Sequence, residues 1–526
     1  MKALDQWLVA QANLKTAVSN FVSACTTLKN ATLQPVLSRY NQVALDTTLD
    51  QIQSRINSLD LAENQLRESR TTLNVLLNSS TSRVPIHRLP PELLGSIFTM
   101  AVDSTTCCIE RSEERFTLAD IQLVCLRWRR IATDTSSLWL HIDVNLAPSS
   151  FDYNRLWLDR SSGMPIDLHI EEEDKISSDV ISELVLVLQP HATAVQQLSI
   201  SGVNTPRLAK AFFNMCPKYG TPVMLKSLVL KDVGVSREKH ALSWPIDSLS
   251  GLVELDLADL TEFAAPLLND LVAVLSNCQA LHTLRLHNVE IRTRRQEHYQ
   301  AISLPQLRLL ELVVFYDNDG MEQLLELLSP GSHALDIRLN HSSADHSSFA
   351  RHIQSLLARS NVAYLTIQNV FPSSISHFKS RTYLATPHVR ALLLHLTASN
   401  SLDIFEETLA SGRELTKQLP CLQCLCLISG DLSPTTIYQL ERVVASSNIR
   451  SLVFWSCRFG LPHNSESDDS DEEYVDRNSK WWSLDMPQSA RELLSRRVER
   501  IIIQDAPPSR VRQGIDLSIQ ELVAFD

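Results

Sequence analysis

Three cysteines close together, Cys421, Cys424 and Cys426, come nearest in this chain to a spacing that could do chemistry. A Cys-x-x-Cys pair offers two soft ligands, but a tetrahedral zinc needs four, and the next cysteine, Cys457, lies one repeating unit further on. Strand alternation sets Cys424 and Cys426 on the face opposite Leu425 and Leu427, where they read as ordinary strand residues. Asp317-Asn-Asp-Gly320 has the oxygen ligands of a calcium loop, yet Phe315 stands where the first ligand belongs and no spaced glutamate completes the set. A turn ahead of a helix is the expectation there. The sequence contains no Gly-x-Ser-x-Gly, His-Glu-x-x-His or Gly-x-x-x-x-Gly-Lys motif. The expectation is a chain without catalytic group, metal or cofactor. Ser465 and Ser470 each stand three positions before an acidic residue, as acidophilic kinase sites do.

Those residues must be positioned by a chain of 526 residues, long enough for two or three folding units or one elongated repeat array. Its formal net charge of -12 argues against nucleic acid as a partner, because phosphate binding needs concentrated Lys and Arg. No apolar run reaches the roughly 20 residues of a membrane span, and Met1 to Leu14 lacks the pattern of a secretory signal. A cytoplasmic or nuclear location is therefore expected, with no membrane partner. The ten cysteines have no even spacing and read as free thiols.

Residues 1–82 read as a helical, coiled-coil-like segment. Leu4, Leu8, Leu14, Val18, Phe21, Val22, Cys25 and Leu28 keep helical spacing until Pro35. From Leu45 the pattern steps by four and three through Leu49, Ile52, Ile56, Leu59, Glu63, Leu66, Arg70, Leu73 and Leu77. This is a heptad seam with two polar intrusions. It suits self-association through 45–77, a hairpin with the preceding helix, or one amphipathic helix packed on the rest of the chain. Asn78 to Ser82 reads as a polar linker.

Residues 84–144 form a small all-α unit. Pro90 and Pro91 stop the preceding segment and open a helix on which Leu93, Leu94, Ile97 and Phe98 make an apolar stripe. A second helix is expected over Leu118 to Ala132, presenting Leu123, Val124, Trp128 and Ile131, before Ser136-Ser-Leu-Trp139 closes the unit. Two such helices cannot bury their own aromatic residues well, so a partner is implied. Leu89 to Phe98, Val124 to Ala132 and Thr135 to Trp139 resemble the F-box: a Leu-Pro-x-Glu-Leu-Leu-x-x-Ile-Phe helix, a Val-Cys-x-x-Trp-Arg-x-Ile-Ala helix and a Thr-x-x-Leu-Trp end. The sequence departs from that pattern in a longer connection, Thr105 to Thr117, and in Ser136 where a proline often stands. The resemblance implies docking to the Skp adaptor, and through it to a cullin scaffold. Leu89, Pro90, Leu93, Leu94, Ile97, Phe98, Val124, Cys125, Trp128, Ile131, Leu138 and Trp139 would carry that docking.

Over 160–526 a strand with apolar residues two apart recurs, from Leu168/Ile170 through Leu198/Ile200, Leu228/Leu230, Leu255/Leu257 and Leu284/Leu286 to Ile501/Ile503. Steps of 26 to 33 residues, then one of 49, resemble the leucine-rich repeat, which implies an α/β solenoid, a horseshoe with parallel strands. The position that family reserves for Asn or Cys is filled mostly by Val, Leu or Phe, and only Cys457 fits. The long last step contains a run, 463–478, too acidic to bury and expected to be disordered. Alternation exposes Glu254, Asp256, Arg285, His287, Arg338, Asn340 and Trp455 on the inner strand face. A charged centre beside a Trp-bearing stretch suits a protein ligand. The resemblances together imply the substrate-recognition subunit of a ubiquitin ligase. A non-catalytic scaffold that binds a partner without ubiquitin transfer is the competing expectation.

Overall fold

The computed structural model describes residues 2–32, 42–79, 85–102, 117–144, 146–147, 150–172, 176–215, 225–232, 244, 249–261, 264–294, 299–314, 318–341, 347–368, 386–395, 405, 415–460, 482–483 and 485–504. The acidic run with Ser465 and Ser470, the connection from Thr105, and Phe315 and Asp317 of the calcium-like loop lie outside them. The chain divides into two compact units, Met1–Leu94 with Gln122–Arg129, and Gly95–Ile121 with Arg130–Asp526.

As far as Asp134 the described chain is helical, through the first unit and the first part of the second. α1 (Lys2–Thr32) and α2 (Gln42–Ser79) are two long helices, and the described side chains of α1 are all exposed. A short 3-10 turn, Pro85–Arg88, leads into α3 (Pro91–Ala101). The helix expected over Leu118 to Ala132 is not continuous: α4 (Leu118–Val124) and α5 (Leu126–Asp134) meet at Cys125. The Cys125 thiol accepts from Trp128 N at 3.5 Å, so a side chain takes over part of the task of starting the new helix. No described helix is both long and apolar enough to cross a membrane.

The second unit is built on a 13-stranded sheet in which every pairing is parallel. In chain order its strands are β1 (His141–Val144), β2 (Ile166–Glu171), β3 (Val195–Gly202), β4 (Ser227–Asp232), β5 (Glu254–Ala258), β6 (Thr283–His287) and β7 (Leu309–Val314). There follow β8 (Leu335–His341), β9 (Val362–Gln368), β10 (Ala391–His395), β11 (Cys424–Ile428), β12 (Ser451–Trp455) and β13 (Arg500–Gln504). Spatial order follows sequence order from end to end, which fits a solenoid and leaves no closed barrel. The register is the one the spacing of leucines predicts: Leu168 pairs with Leu198, Leu198 with Leu228, and so on to Leu452 with Ile501. One strand precedes those the spacing singles out. In β1, Ile142 pairs with Leu168, so the ladder begins directly behind Trp139.

The core lies on the strand face that carries these leucines. Helices Ser178–Leu188, Leu268–Asn277, Asp319–Leu327, Ser347–Arg359 and Pro434–Ala445 pack their apolar stripes against it, and Leu255, Leu284, Ile337 and Leu425 are fully buried. Stacking buries apolar surface between neighbouring repeats, and each Å2 removed from water stabilises them by about 25 cal/mol. Gly320 shows how tightly they stack: a Cβ there would fall on the Ile291 carbonyl of the preceding repeat. Turn polar groups are met locally. Asn318 caps its helix by accepting from Met321 N at 3.0 Å and donates to Val289 O at 2.8 Å, and the Cys457 thiol donates to Leu427 O at 3.3 Å.

Candidate functional site

In the segment around α3, a proline at the helix start costs nothing because that backbone donor has no partner in any helix, and Glu92 in the first turn favours the positive end of the dipole. The Arg127 guanidinium at the start of α5 donates to Leu89 O at 2.7 Å and to His87 O, fastening α5 to the turn that precedes α3. His87 is buried there, its Nε2 3.7 Å from the Cys125 sulfur. Thr117 and Asp120 cap α4 reciprocally: the carboxylate accepts from Thr117 N and Oγ1 at 2.7 Å, which holds the Asp120 pKa below its ordinary value. Gly95 lets Thr135 approach α3, since a Cβ would stand 3.0 Å from Thr135 Oγ1.

The residues expected to dock an adaptor divide into two sets. Leu94, Phe98, Ile131, Leu138 and Trp139 are buried. Trp139 donates from Nε1 to Ala132 O at 2.8 Å, meets Trp157 edge-on at 4.8 Å and carries Arg160 4.4 Å above its ring. These five side chains leave little surface for a partner to touch. Leu89, Cys125 and Trp128 are half-buried and Pro90 is exposed. Leu93, Ile97 and Val124 are exposed, and the spacing-based reading missed their continuation: Met100 extends Leu93 and Ile97 by one helical turn, and Leu126 stands beside Leu123 and Val124. Met100 lies seven residues after Leu93, so the helical period carried the signal. Six large apolar side chains on two short stretches are thus left in solvent.

On the strand face opposite the core, the register builds an alternating charge ladder across four strands: Asp256 of β5 faces Arg285 of β6, which faces Glu311 of β7, which faces Arg338 of β8. Arg285 is the hub. It pairs with Glu254, lies 3.7 Å from Asp256 Oδ2 and 3.5 Å from Glu311 Oε2. His287 Nε2 is 3.2 Å from Glu311 Oε1, and Arg338 binds Asp336 at 2.8 Å. Asn340 donates to Gln368 at 3.5 Å. Burial works against a charge on His287, but its contact with Glu311 and the field of Asp256 outweigh that and raise its pKa. Burial raises the Asp256 carboxyl despite His287 and Arg285. Sequence spacing brought the charged residues to one face, and the same alternation puts Asp336, two residues before Arg338 on its strand, beside it.

Further along, the same face changes character. Ala391, Leu393, Cys424, Cys426, Ile428, Val453 and Trp455 form a second apolar cluster, all of it buried. Trp455, expected as an exposed contact, is 1% accessible and donates from Nε1 to Gln504 at 2.8 Å, so it serves as core. Burial pushes the Cys424 thiol up to about 11 and raises the Cys426 thiol well above its ordinary value, so both favour the protonated form at neutral pH. Among the described residues no group of three or more His, Cys, Asp or Glu is placed to hold a metal.

No curated protein matches the chain. Among solved structures, a protein from Bacteroides fragilis is similar over 70% of this chain and 74% of its own, at 10% identity and a TM-score of 0.28, too low to carry an argument. A family model described as F-box-like matches residues 86–145, the stretch that holds α3, α4, α5 and β1, and thereby assigns the exposed apolar positions to an F-box-like domain.

Proposed function

We propose that this chain is the substrate-recognition subunit of a Skp–cullin–F-box ubiquitin ligase, with leucine-rich repeats as its target-binding part. F-box domains are in general adaptor-binding and non-catalytic, and that coarser role follows from the match at 86–145. The observation that carries the finer reading is the exposure of Leu93, Ile97, Met100, Leu123, Val124 and Leu126 in a segment whose other described leucines, isoleucines and aromatic residues are buried or half-buried. Six exposed large apolar side chains within so small a segment are the mark of a surface that another protein covers. The Asp256–Arg285–Glu311–Arg338 ladder supports a polar target face on the repeats. The contribution to catalysis is proximity: holding a target beside a ubiquitin-loaded partner removes much of the entropic barrier to their encounter. Cytosol and nucleus are the compartments this role requires.

The test is capture of Skp and cullin from cells by the full chain and by Leu93→Asp/Ile97→Asp. Equal capture by both would end the adaptor assignment. The competing scaffold reading shares the charged face and predicts that deletion of the chain leaves bound partners at unchanged abundance. Proteomic comparison of proximity-labelled partners with and without the chain separates the two.

A further inference from the structure

From Ile52 to Leu77 the heptad seam of α2 is largely uncovered. Ile56, Leu59, Leu66 and Leu77 each keep more than two fifths of their surface exposed, and Ile52 and Leu73 are half-buried. A helix of 38 residues with four asparagines, four threonines and only two alanines has little intrinsic helicity, so its stability must come from packing along an apolar stripe. α1 does not supply a complement. Its own seam, Leu4, Trp7, Gln11, Leu14, Val18, Phe21, Cys25 and Leu28, carries no charge, whereas that of α2 contains Glu63 and Arg70.

We infer that α2 pairs with α2 of a second copy of this chain, and that the pair is antiparallel. Glu63 and Arg70 decide the orientation. In a parallel pair equivalent seam positions meet, so Glu63 would face Glu63 and Arg70 would face Arg70 in two interior layers. In the antiparallel alignment Ile52 faces Leu77, Ile56 faces Leu73, Leu59 faces Arg70 and Glu63 faces Leu66, each layer occurring twice by symmetry. Every charged seam residue then has leucine opposite it and an opposite charge beside that leucine: Arg67 beside Leu66 for Glu63, Asp60 beside Leu59 for Arg70. The flanking positions agree, because Asp60 of one copy lies across from Arg67 of the other, and Gln53 across from Asn74. In the single chain Arg67 binds Glu63 within its own helix at 2.6 Å, with both side chains largely exposed. Pairing turns that surface contact into part of an intermolecular network. The overlap from Ile52 to Leu77 spans about 39 Å of helix.

The inference is independent of the adaptor assignment and is tested on the full chain. Sedimentation equilibrium should show a dimer at micromolar concentration. Glu63→Arg/Arg70→Glu should weaken it about tenfold or more, since each swapped charge then meets its like in the partner, while a parallel dimer would respond little because its layers hold like charges before and after. An equimolar mixture of Leu59→Cys and Arg70→Cys chains should give, on mild oxidation, a mixed disulfide identified by mass spectrometry. A monomer at tens of micromolar overturns the inference, as does a Leu59→Cys chain that crosslinks to itself at that position. Skp capture by the swapped variant should equal wild type, which keeps failure of this inference distinct from failure of the adaptor reading.

Discussion

Leu93 and Ile97 give the adaptor reading its sharpest consequence. Full burial of a leucine or isoleucine is worth about 1.5–3 kcal/mol, and Leu93 keeps 53% and Ile97 37% of its surface exposed. Covering what remains in a partner should contribute about 1 kcal/mol each, so Leu93→Ala/Ile97→Ala should weaken adaptor binding roughly thirtyfold. Aspartate at both positions adds the cost of burying unpaired carboxylates, and the loss should exceed about 100-fold. Because both sites face solvent in the free chain, the melting transition should move little. Leu94 is the internal control: it is fully buried one residue away, and Leu94→Ala should cost about 2–5 kcal/mol of stability by leaving a cavity. The assay is titration calorimetry with purified Skp adaptor, paired with denaturant unfolding of each variant. Binding unchanged within twofold for the double aspartate variant, with its fold intact, would refute the reasoning.

Arg285→Ala should destabilise the repeats by about 1–3 kcal/mol, read as a lower denaturant midpoint, because Glu254, Asp256 and Glu311 are left facing one another around a mostly buried site. His287 should make stability fall as pH rises. Its folded pKa lies above the ordinary 6.5, so its contribution is complete below that value and is lost as pH climbs through the raised one; His287→Gln should flatten that limb of an unfolding-versus-pH series. His169 acts in the opposite sense. Burial, then the neighbouring His141, lowers its pKa to about 4, so the unfolded chain takes up a proton first and stability drops as pH falls from about 6.5 to 4, a limb His169→Gln should remove. Gly320→Ala should destabilise by about 2 kcal/mol or more in spite of alanine's better helix propensity, since the new methyl strikes the Ile291 carbonyl.

The repeat register was legible residue by residue because one physical signal, leucines two apart on a strand and a near-constant number of residues between strands, determines both the pairing and the buried face. β1 escaped that signal: His141-Ile-Asp-Val144 is short and follows a Trp that reads as the end of the preceding unit. The charged half of the open face was also legible, for alternation alone brings Asp256, Arg285, Glu311 and Arg338 together. Trp455 was not. Alternation tells which face a residue joins and says nothing about whether that face is covered, and here the apolar cluster around Cys426 and Val453 is buried. For the same reason the apolar stripe of α3 could not be divided by sequence into Leu94 and Phe98, which are buried, and Leu93 and Ile97, which are exposed.

Because each strand of the sheet hydrogen-bonds only to its neighbours in the sequence, the second unit behaves as a one-dimensional stack whose cohesion resides in the seams between consecutive rungs. Order in such a stack can start at any rung and spread by local steps, without closing a long loop first, so folding can proceed as the ribosome releases the chain. Evolution can also splice a whole rung in or out and leave the remaining seams intact, changing the span offered to a ligand while the amino-terminal helices stay as they are.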